Sequence, residues 1–214
     1  MKHLIVSSDK RTWDSKNQKF FLGMWCFINK PSDALYFKGN ILKDIFKSEK
    51  ERMIYKDRVW KEIYKINDEI FLDVCESLNK HYQKNYSVRF YRILIGQWFD
   101  WCLALVYDRI EFTKLLFTKY KFSSFSYINS KNYDLTCDNE MEYSLGNLDD
   151  HWNQKLFYEI LKKIKLKNLK IKKINDHSLK RNINMSFYTL NKSKSFILET
   201  INKYNKFISD DNDA

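Results

Sequence analysis

The segment from Tyr86 to Trp101 constrains this chain most, because it places charged groups inside an apolar run. Arg89 and Arg92 are one helical turn apart among aromatic and branched aliphatic side chains, and Gly96 follows one turn later. A guanidinium withdrawn from water costs several kcal/mol unless an anion meets it. The segment therefore predicts a negative partner, either a phosphate of a bound ligand or a carboxylate of the same chain. The nearby carboxylates are those of Asp100, Asp108 and Glu111.

Glycine and proline are scarce, with 4 Gly and 1 Pro among 214 residues. This scarcity is unfavourable for a turn-rich β fold and favours long helices joined by polar loops. Hydrophobic residues make up 44% of the chain, which is enough for a packed core of one domain. We therefore expect a single helix-rich α/β domain over residues 1–208, followed by a disordered acidic tail over residues 209–214.

Hydrophobic periodicity predicts the order of the elements. Apolar side chains recur every three or four residues over a long helical segment, about residues 48–120, with a break near residue 85. His3–Ser7 and Ser123–Ile128 are typical of strands, and Phe20–Phe27 is typical of a strand or a tight turn. The further predicted helices are His151–Ile164 and Ser186–Phe207.

The formal charge of +11 indicates a basic surface. Such a surface attracts nucleic acid, anionic lipid or phosphorylated substrates without choosing among them. Seven lysines lie between Lys162 and Lys173, a pattern that fits either a membrane-surface patch or a solvated helix face. No recognised nucleic-acid module is present, so we do not expect nucleic acid as a partner. We expect a cytoplasmic protein with peripheral contact to the inner face of the membrane.

The four cysteines show neither a CxxC spacing nor histidines at ligand distance. This pattern predicts free thiols in a reducing compartment and no metal site. Neither GxGxxG nor a P-loop is present, so no cofactor of the protein's own is expected. The cysteines are Cys26, Cys75, Cys102 and Cys137.

Three stretches carry a resemblance to a known family. They are Thr12-Trp13 after the first strand, Phe21–Cys26, and Tyr86–Trp98 with Asp108-Arg109 downstream. In order and spacing they resemble the N-terminal portion of transferases encoded among surface-polysaccharide (O-antigen) genes. The third stretch is the specific one, and the resemblance covers about residues 1–120.

The resemblance implies a glycosyltransferase-like fold with two domains, of which this chain supplies the Rossmann-like N-terminal, acceptor-side half. A nucleotide-sugar would be the donor, and a saccharide or lipid-linked sugar the acceptor. Members of the family are considerably longer, and often have proline where this chain has Gln97. The chain therefore resembles a truncated copy that needs a separate second domain for catalysis. The alternative is a non-catalytic basic binding protein or partner subunit that contacts membrane or nucleic acid.

Seven residues are candidate substrate contacts. In the functional interpretation, two arginines clamp an anion through bidentate bonds and a tryptophan stacks on a sugar ring. In the structural interpretation, the arginines pair with carboxylates of the chain and the tryptophan anchors a loop. The candidates are Thr12, Trp13, Arg89, Arg92, Gly96, Trp98 and Arg109.

A sugar transferase also needs a general base near the acceptor hydroxyl, or groups that stabilise the leaving diphosphate. Asp9, Asp14 and His3 border the loop after the first strand and are conceivable bases. Their spacing does not choose among them, so the sequence leaves the catalytic residue open.

Overall fold

The computed structural model describes residues 2–13, 16–37, 40–41, 45–130, 135–137, 142–143, 146, 149–164, 166 and 168–179. Their contacts form two compact units. The first unit comprises the described residues of 2–45 and 113–179, and the second comprises residues 46–112. The single domain over residues 1–208 stays a prediction. The predicted helix Ser186–Phe207 and the acidic tail over residues 209–214 lie outside the described residues.

The first unit contains a sheet of four parallel strands in the order β2-β1-β3-β4. The strands are β1 (Lys2–Ile5), β2 (Gln18–Phe21), β3 (Ser124–Asn129) and β4 (Lys170–Asn175). Parallel pairing needs a crossover between consecutive strands, so helices alternate with strands along the chain. The parallel sheet with its helices confirms the α/β class.

The two central strands are largely buried, as expected of parallel strands that are covered on both faces. β1 ends at Ile5, whereas the apolar pattern predicted a strand to Ser7. The carbonyl of Val6 accepts a hydrogen bond from the Trp25 indole, and that of Ser7 accepts one from the Trp13 indole, both at 3.1 Å. These carbonyls therefore bond to side chains instead of extending the ladder.

The apolar run Phe20–Phe27 forms the end of β2 and then a 3-10 helix over Met24–Phe27. Gly23 separates the two, and the ring of Trp25 lies directly over it. A Cβ atom at Gly23 would come within 1.9 Å of that ring. Only glycine therefore fits beneath the indole.

The α-helices are α1 (Asp33–Tyr36), α2 (Glu49–Tyr82), α3 (Val88–Lys119) and α4 (Asp150–Ile164). The predicted helical segment over residues 48–120 thus consists of α2 and α3.

Ser48 caps α2, since its side chain accepts a hydrogen bond from Glu51 N at 3.2 Å. The Glu51 carboxylate in turn accepts one from Lys47 N at 2.6 Å. The helix ends where Gln83 takes the left-handed conformation, with φ of 54°.

The second unit is an antiparallel hairpin of α2 and the part of α3 up to residue 112. The side chains of Tyr55, Asn67 and Asn79 along α2 contact Asp108, Asp100 and Tyr91 of α3, in reverse order. Phe71 packs edge-on against Phe99 in the centre of the hairpin, with ring centroids 5.0 Å apart. Within the ranges that the structure describes, no helix is long and apolar enough to cross a membrane.

Candidate functional site

A pocket of about 510 Å³ opens at the carboxyl edge of the parallel sheet. The loops after β1 and β2 and the first turn of α4 meet there, in the first unit. In open α/β sheets, ligands bind at this edge, because loops from several strands converge on it. The lining residues are Ser8, Asp9, Lys10, Ile28, Asn29, Lys30, Asp150 and His151.

Asp150 is a charged group of this pocket that is held at one carboxylate oxygen. Its Oδ2 atom accepts hydrogen bonds from Ser7 Oγ at 2.7 Å, from Ser8 N at 2.9 Å and from Ser8 Oγ at 3.0 Å. None of the residues placed in the structure donates a hydrogen bond to Oδ1. One carboxylate oxygen, Oδ2, is therefore fixed by the loop after β1.

The N-cap residue of α4 is Asp149, so the carboxylate of Asp150 is not used to cap the helix. Asp149 Oδ1 accepts a hydrogen bond from Trp152 N at 2.7 Å, as an N-cap side chain does. Asp150 is the first residue of the helix and turns towards the loop after β1. This arrangement places a carboxylate at the sheet edge without using it for secondary structure.

Ser8 links three segments around the pocket. Asn29 Nδ2 donates a hydrogen bond to Ser8 Oγ at 2.8 Å, and this hydroxyl in turn donates to Asp150. Ser7 Oγ accepts a hydrogen bond from Asp9 N at 3.1 Å while it donates to the same carboxylate. The loops after β1 and β2 are thus tied to α4 through two hydroxyl groups.

Two lysines give the pocket rim a positive charge. Lys10 Nζ lies 2.6 Å and Lys30 Nζ lies 3.2 Å from the carboxylate of Asp33. The hydrogen bond from Lys10, supported by Lys30, holds the pKa of Asp33 below its usual value. Both lysine side chains are more than half exposed, at 54% and 62%. These two cations share the Asp33 carboxylate and balance the charges of Asp9 and Asp150 in the pocket lining.

Asp9 lines the pocket, but Arg11 engages both of its carboxylate oxygens. Arg11 Nε lies 3.0 Å from Oδ1, and NH2 lies 2.6 Å from Oδ2. Burial raises the pKa of Asp9, but the hydrogen bonds and the charge of Arg11 outweigh it, so that the pKa lies below its usual value. Arg11 also pairs with Asp176 at 2.6 Å. The carboxylate of Asp9 therefore stabilises the loop after β1 through its bonds to Arg11.

His3, the second conceivable base, is fully buried between β1, β3 and the following loop. Its Nδ1 is 2.8 Å from Ser124 Oγ and its Nε2 is 2.9 Å from the carbonyl oxygen of Thr12. It does not line the pocket. Asp14, the third, lies outside the described residues.

Thr12 and Trp13 have structural contacts in the first unit. Thr12 is buried and donates a hydrogen bond from Oγ1 to the Asp9 carbonyl at 2.7 Å. The Trp13 ring packs edge-on against Phe21 and Phe27, with centroids 4.9 and 5.8 Å away. These contacts match the alternative in which Trp13 anchors the loop. Trp25, in contrast, is 48% exposed.

The charge of Arg92 is met by its own chain. Its guanidinium lies 2.8 Å from Asp68 Oδ1 and 3.6 Å from Asp100 Oδ1. Its Cζ atom lies 3.7 Å from the centroid of the Phe71 ring, in cation–π contact. The pairing with Asp100 was one of the two alternatives drawn from the sequence. A ligand phosphate at Arg92 would have to compete with these two carboxylates.

The other predicted contacts of the second unit are spread along α3. Arg89 is exposed, whereas Gly96 is buried beneath Arg92. Trp98 and Arg109 are half-buried. The structure thus brings Arg92 and Gly96 together, and it brings Thr12 and Trp13 together. The roles of all seven residues in substrate binding stay predictions.

The four cysteines form no disulfide in the structure. Cys26, Cys75 and Cys102 are buried, and Cys137 is half-buried. Burial raises the pKa of Cys26 to about 12, which keeps this thiol protonated at neutral pH.

Sequence reasoning missed most residues of the pocket. It singled out the loop that begins at Ser8, since this loop follows a predicted strand. The start of α4 carries no such signal, because 20 residues separate Asn129, the end of β3, from Asp150. The lining residues that were not named individually are Ser8, Lys10, Ile28, Asn29, Lys30, Asp150 and His151.

Comparisons with known proteins identify the family. No curated protein and no solved structure matches the chain. A family model described as "LIC12162 family transferase" matches residues 2–214, well beyond the stretch of about residues 1–120 that carries the resemblance. The chain therefore belongs to the LIC12162 family of transferases.

Proposed function

We propose that this transferase takes part in moving a glycosyl group from a nucleotide-sugar to a hydroxyl of a saccharide or lipid-linked acceptor. The product would be a surface polysaccharide of the O-antigen type. The observation that carries the proposal is the carboxylate of Asp150, which lines the pocket and has one oxygen anchored by Ser7 and Ser8. Such a carboxylate is suited to bind and deprotonate an acceptor hydroxyl.

The sheet supports a Rossmann-like domain in a two-domain enzyme. The order β2-β1-β3-β4 matches the start of the doubly wound order in which the ligand crevice lies beside the first strand. In our proposal this chain supplies the acceptor-side half, and a second domain binds the nucleotide-sugar. This division follows from the family resemblance and from the position of the pocket.

The chemical step would use Asp150 as general base. The acceptor oxygen attacks the anomeric carbon of the donor, and the bond from that carbon to the diphosphate oxygen breaks. The proton of the acceptor hydroxyl passes to Asp150 Oδ1, and the diphosphate leaves with the bonding electron pair. Ser7 and Ser8 are positioning residues, because their three hydrogen bonds to Oδ2 fix the orientation of the carboxylate.

Two further groups would contribute to binding. Lys10 and Lys30 supply positive charge for a diphosphate or an acidic sugar. Trp25 lies outside the pocket lining, but its indole is held by the Val6 carbonyl and is half-exposed, so it offers an aromatic face for a sugar unit that extends beyond the pocket. Trp13 stays a candidate for the same role, although its ring packs against phenylalanines.

The lysine-rich segment supports contact with a membrane that carries the acceptor. Lys170, Lys172 and Lys173 are exposed on β4. Clustered lysines near anionic headgroups each contribute about 1 kcal/mol to binding. The protein should therefore sediment with vesicles rich in anionic lipid, and the K172E/K173E variant should not. Equal sedimentation of the two proteins would exclude this contact.

Transfer assays test the proposed chemistry. The protein and the second domain that binds the donor are incubated together with a panel of nucleotide-sugars and saccharide or polyprenyl-linked acceptors, and released nucleoside diphosphate is measured. Asp150→Asn should lower the rate by about 100-fold or more, because an amide cannot take the proton. The matched control is Asp57→Asn, which removes an exposed carboxylate of α2 and should leave the rate unchanged.

Saccharide binding gives a second readout that does not depend on a donor domain. Saturation-transfer NMR should detect saccharides with the wild-type protein and much less with Asp150→Ala. The proposal would be overturned if Asp150→Asn transferred sugar at the wild-type rate, or if Asp150→Ala bound saccharides as well as the wild-type protein does.

A further inference from the structure

Helix α3 is apolar on two opposite sides over residues 90–101, where only Arg92 and Asp100 are charged. One side forms the core of the hairpin and includes the buried Tyr91 and Phe99. A helix that is apolar all round is typically covered on both sides. The second side of α3 therefore calls for a partner.

This second side forms an apolar stripe of four exposed side chains. Their exposures are far above those of core residues, at 41% for Phe90, 78% for Ile93, 65% for Leu94 and 48% for Trp101. Their spacing of three, four and seven residues keeps them on one helix side. Tyr86 stacks on Phe90, with centroids 4.4 Å apart, and extends the stripe beyond the start of the helix. Contiguous exposed apolar surface of this kind marks an interaction site.

The charges beside the stripe are complementary to each other. Arg89 and Asp100 are 11 residues apart, which is three helical turns plus about 20°, so they flank the same side of the stripe. Arg89 makes no ion pair with any residue that the structure places. Asp100 uses only Oδ1 for Asn67 and Arg92, and its side chain is 52% exposed. A positive group stands at one end of the stripe and a negative group at the other.

We propose that the stripe is a self-association surface, on which α3 packs antiparallel against α3 of a second copy about a two-fold axis near Ile95. In antiparallel helix pairs, positions on the same flank face each other across the interface. Arg89 of one copy then lies beside Asp100 of the second copy. Phe90 lies beside Trp101 of the second copy, and Leu94 beside Gln97.

The charges of the stripe are complementary to those of an identical stripe, which indicates that the partner is a second copy of the chain. A two-fold interface presents the same patch twice, so every attractive charge must find its opposite within the patch itself. Arg89 and Asp100 meet this condition. Two hairpins joined along α3 would bury the exposed apolar side chains at the seam of a four-helix arrangement.

Sedimentation velocity at micromolar concentration tests this surface. The wild-type protein should sediment as a dimer, and Leu94→Asp should sediment as a monomer with an unchanged far-ultraviolet circular dichroism spectrum, because Leu94 is exposed. Leu35→Asp is the matched control, since Leu35 is 78% exposed on α1. This variant should remain dimeric.

A charge swap tests the antiparallel orientation. Arg89→Glu should weaken dimerisation by about 10-fold, and the double variant R89E/D100R should recover most of that loss. A monomeric wild-type protein, or dimers that persist in Leu94→Asp, would overturn the proposal. Failure of the charge swap to restore the dimer would overturn the antiparallel arrangement.

Discussion

Ser7 Oγ donates a hydrogen bond of 2.7 Å to Asp150 Oδ2, joining the loop after β1 to the first residue of α4. The two residues are 143 positions apart in sequence. The bond is one of three that hold the same carboxylate oxygen at the carboxyl edge of the sheet. The proposed catalytic group is thus positioned by a residue that does not itself line the pocket.

Replacing Ser7 with alanine should lower kcat for transfer about 10-fold and leave the KM for the acceptor nearly unchanged. The reason is that the carboxylate loses one of its three fixed bonds but keeps its free oxygen. The lost hydrogen bond should cost about 1 kcal/mol of unfolding free energy. Steady-state kinetics and chemical denaturation check the two effects. A rise in KM alone would show that Ser7 acts on binding instead of on the orientation of Asp150.

The contact between Gly96 and Arg92 predicts a coupled effect on stability. A Cβ atom at position 96 would lie 2.9 Å from Arg92 Cδ, so Gly96→Ala must shift the arginine side chain and disturb its contacts with Phe71 and Asp68. Alanine is favoured over glycine in a helix by about 1 kcal/mol. Gly96→Ala should therefore raise the free energy of unfolding by this full amount in the Arg92→Ala background, and by much less in the wild-type protein.

Chemical denaturation of the four proteins in this cycle measures the coupling. Arg92→Ala alone should cost about 1–2 kcal/mol, because it removes a cation–π contact and a half-exposed ion pair. The same free-energy change for Gly96→Ala in both backgrounds would show that Arg92 is not packed as described.

Arg11 should make the stability of the protein sensitive to acid. It bridges Asp9 and Asp176, and both carboxyl groups have a pKa below the usual value of about 3.9. For Asp9, burial opposes this shift and Arg11 outweighs it. For Asp176, hydrogen bonds from Ser178 and Arg11 favour the charged form. A depressed pKa in the folded state stabilises the protein above the unfolded pKa, and this contribution is lost as the pH falls below it.

Thermal unfolding of Arg11→Met across the acid range checks this account. At pH values above about 5, the variant should have a lower thermal unfolding midpoint than the wild-type protein. The difference between the two midpoints should shrink as the pH falls below about 4. A difference that stays constant down to about pH 2 would show that the two carboxylates do not take up protons as described.

The fold was largely predictable from local patterns. The spacing of apolar residues predicted α2, α3 and α4 to within one or two residues, because each helix buries one continuous face. The end of β1 was not predictable in this way. Val6 and Ser7 have strand-like neighbours, but their carbonyls bond to the indoles of Trp25 and Trp13, which come later in the chain.

The candidate site was predictable only in part, since its contacts are distant in sequence. The sequence predicted that Arg92 needs a negative partner. It did not predict Asp68 as that partner, because Asp68 lies on the other helix of the hairpin. The loop after β1 was recognised from the strand before it. Asp150 could not be connected to that loop, because only the parallel sheet brings the start of α4 to the same edge.

Chemical-shift mapping on the isotope-labelled protein tests most directly where the substrate binds. Saccharides of surface-glycan composition are titrated in, and the backbone amide signals are followed residue by residue. Our account predicts shifts at Ser8, Asn29 and His151, which line the pocket, and none at Arg89 or Arg92. Shifts confined to Arg89 and Arg92, with the pocket amides unchanged, would contradict it.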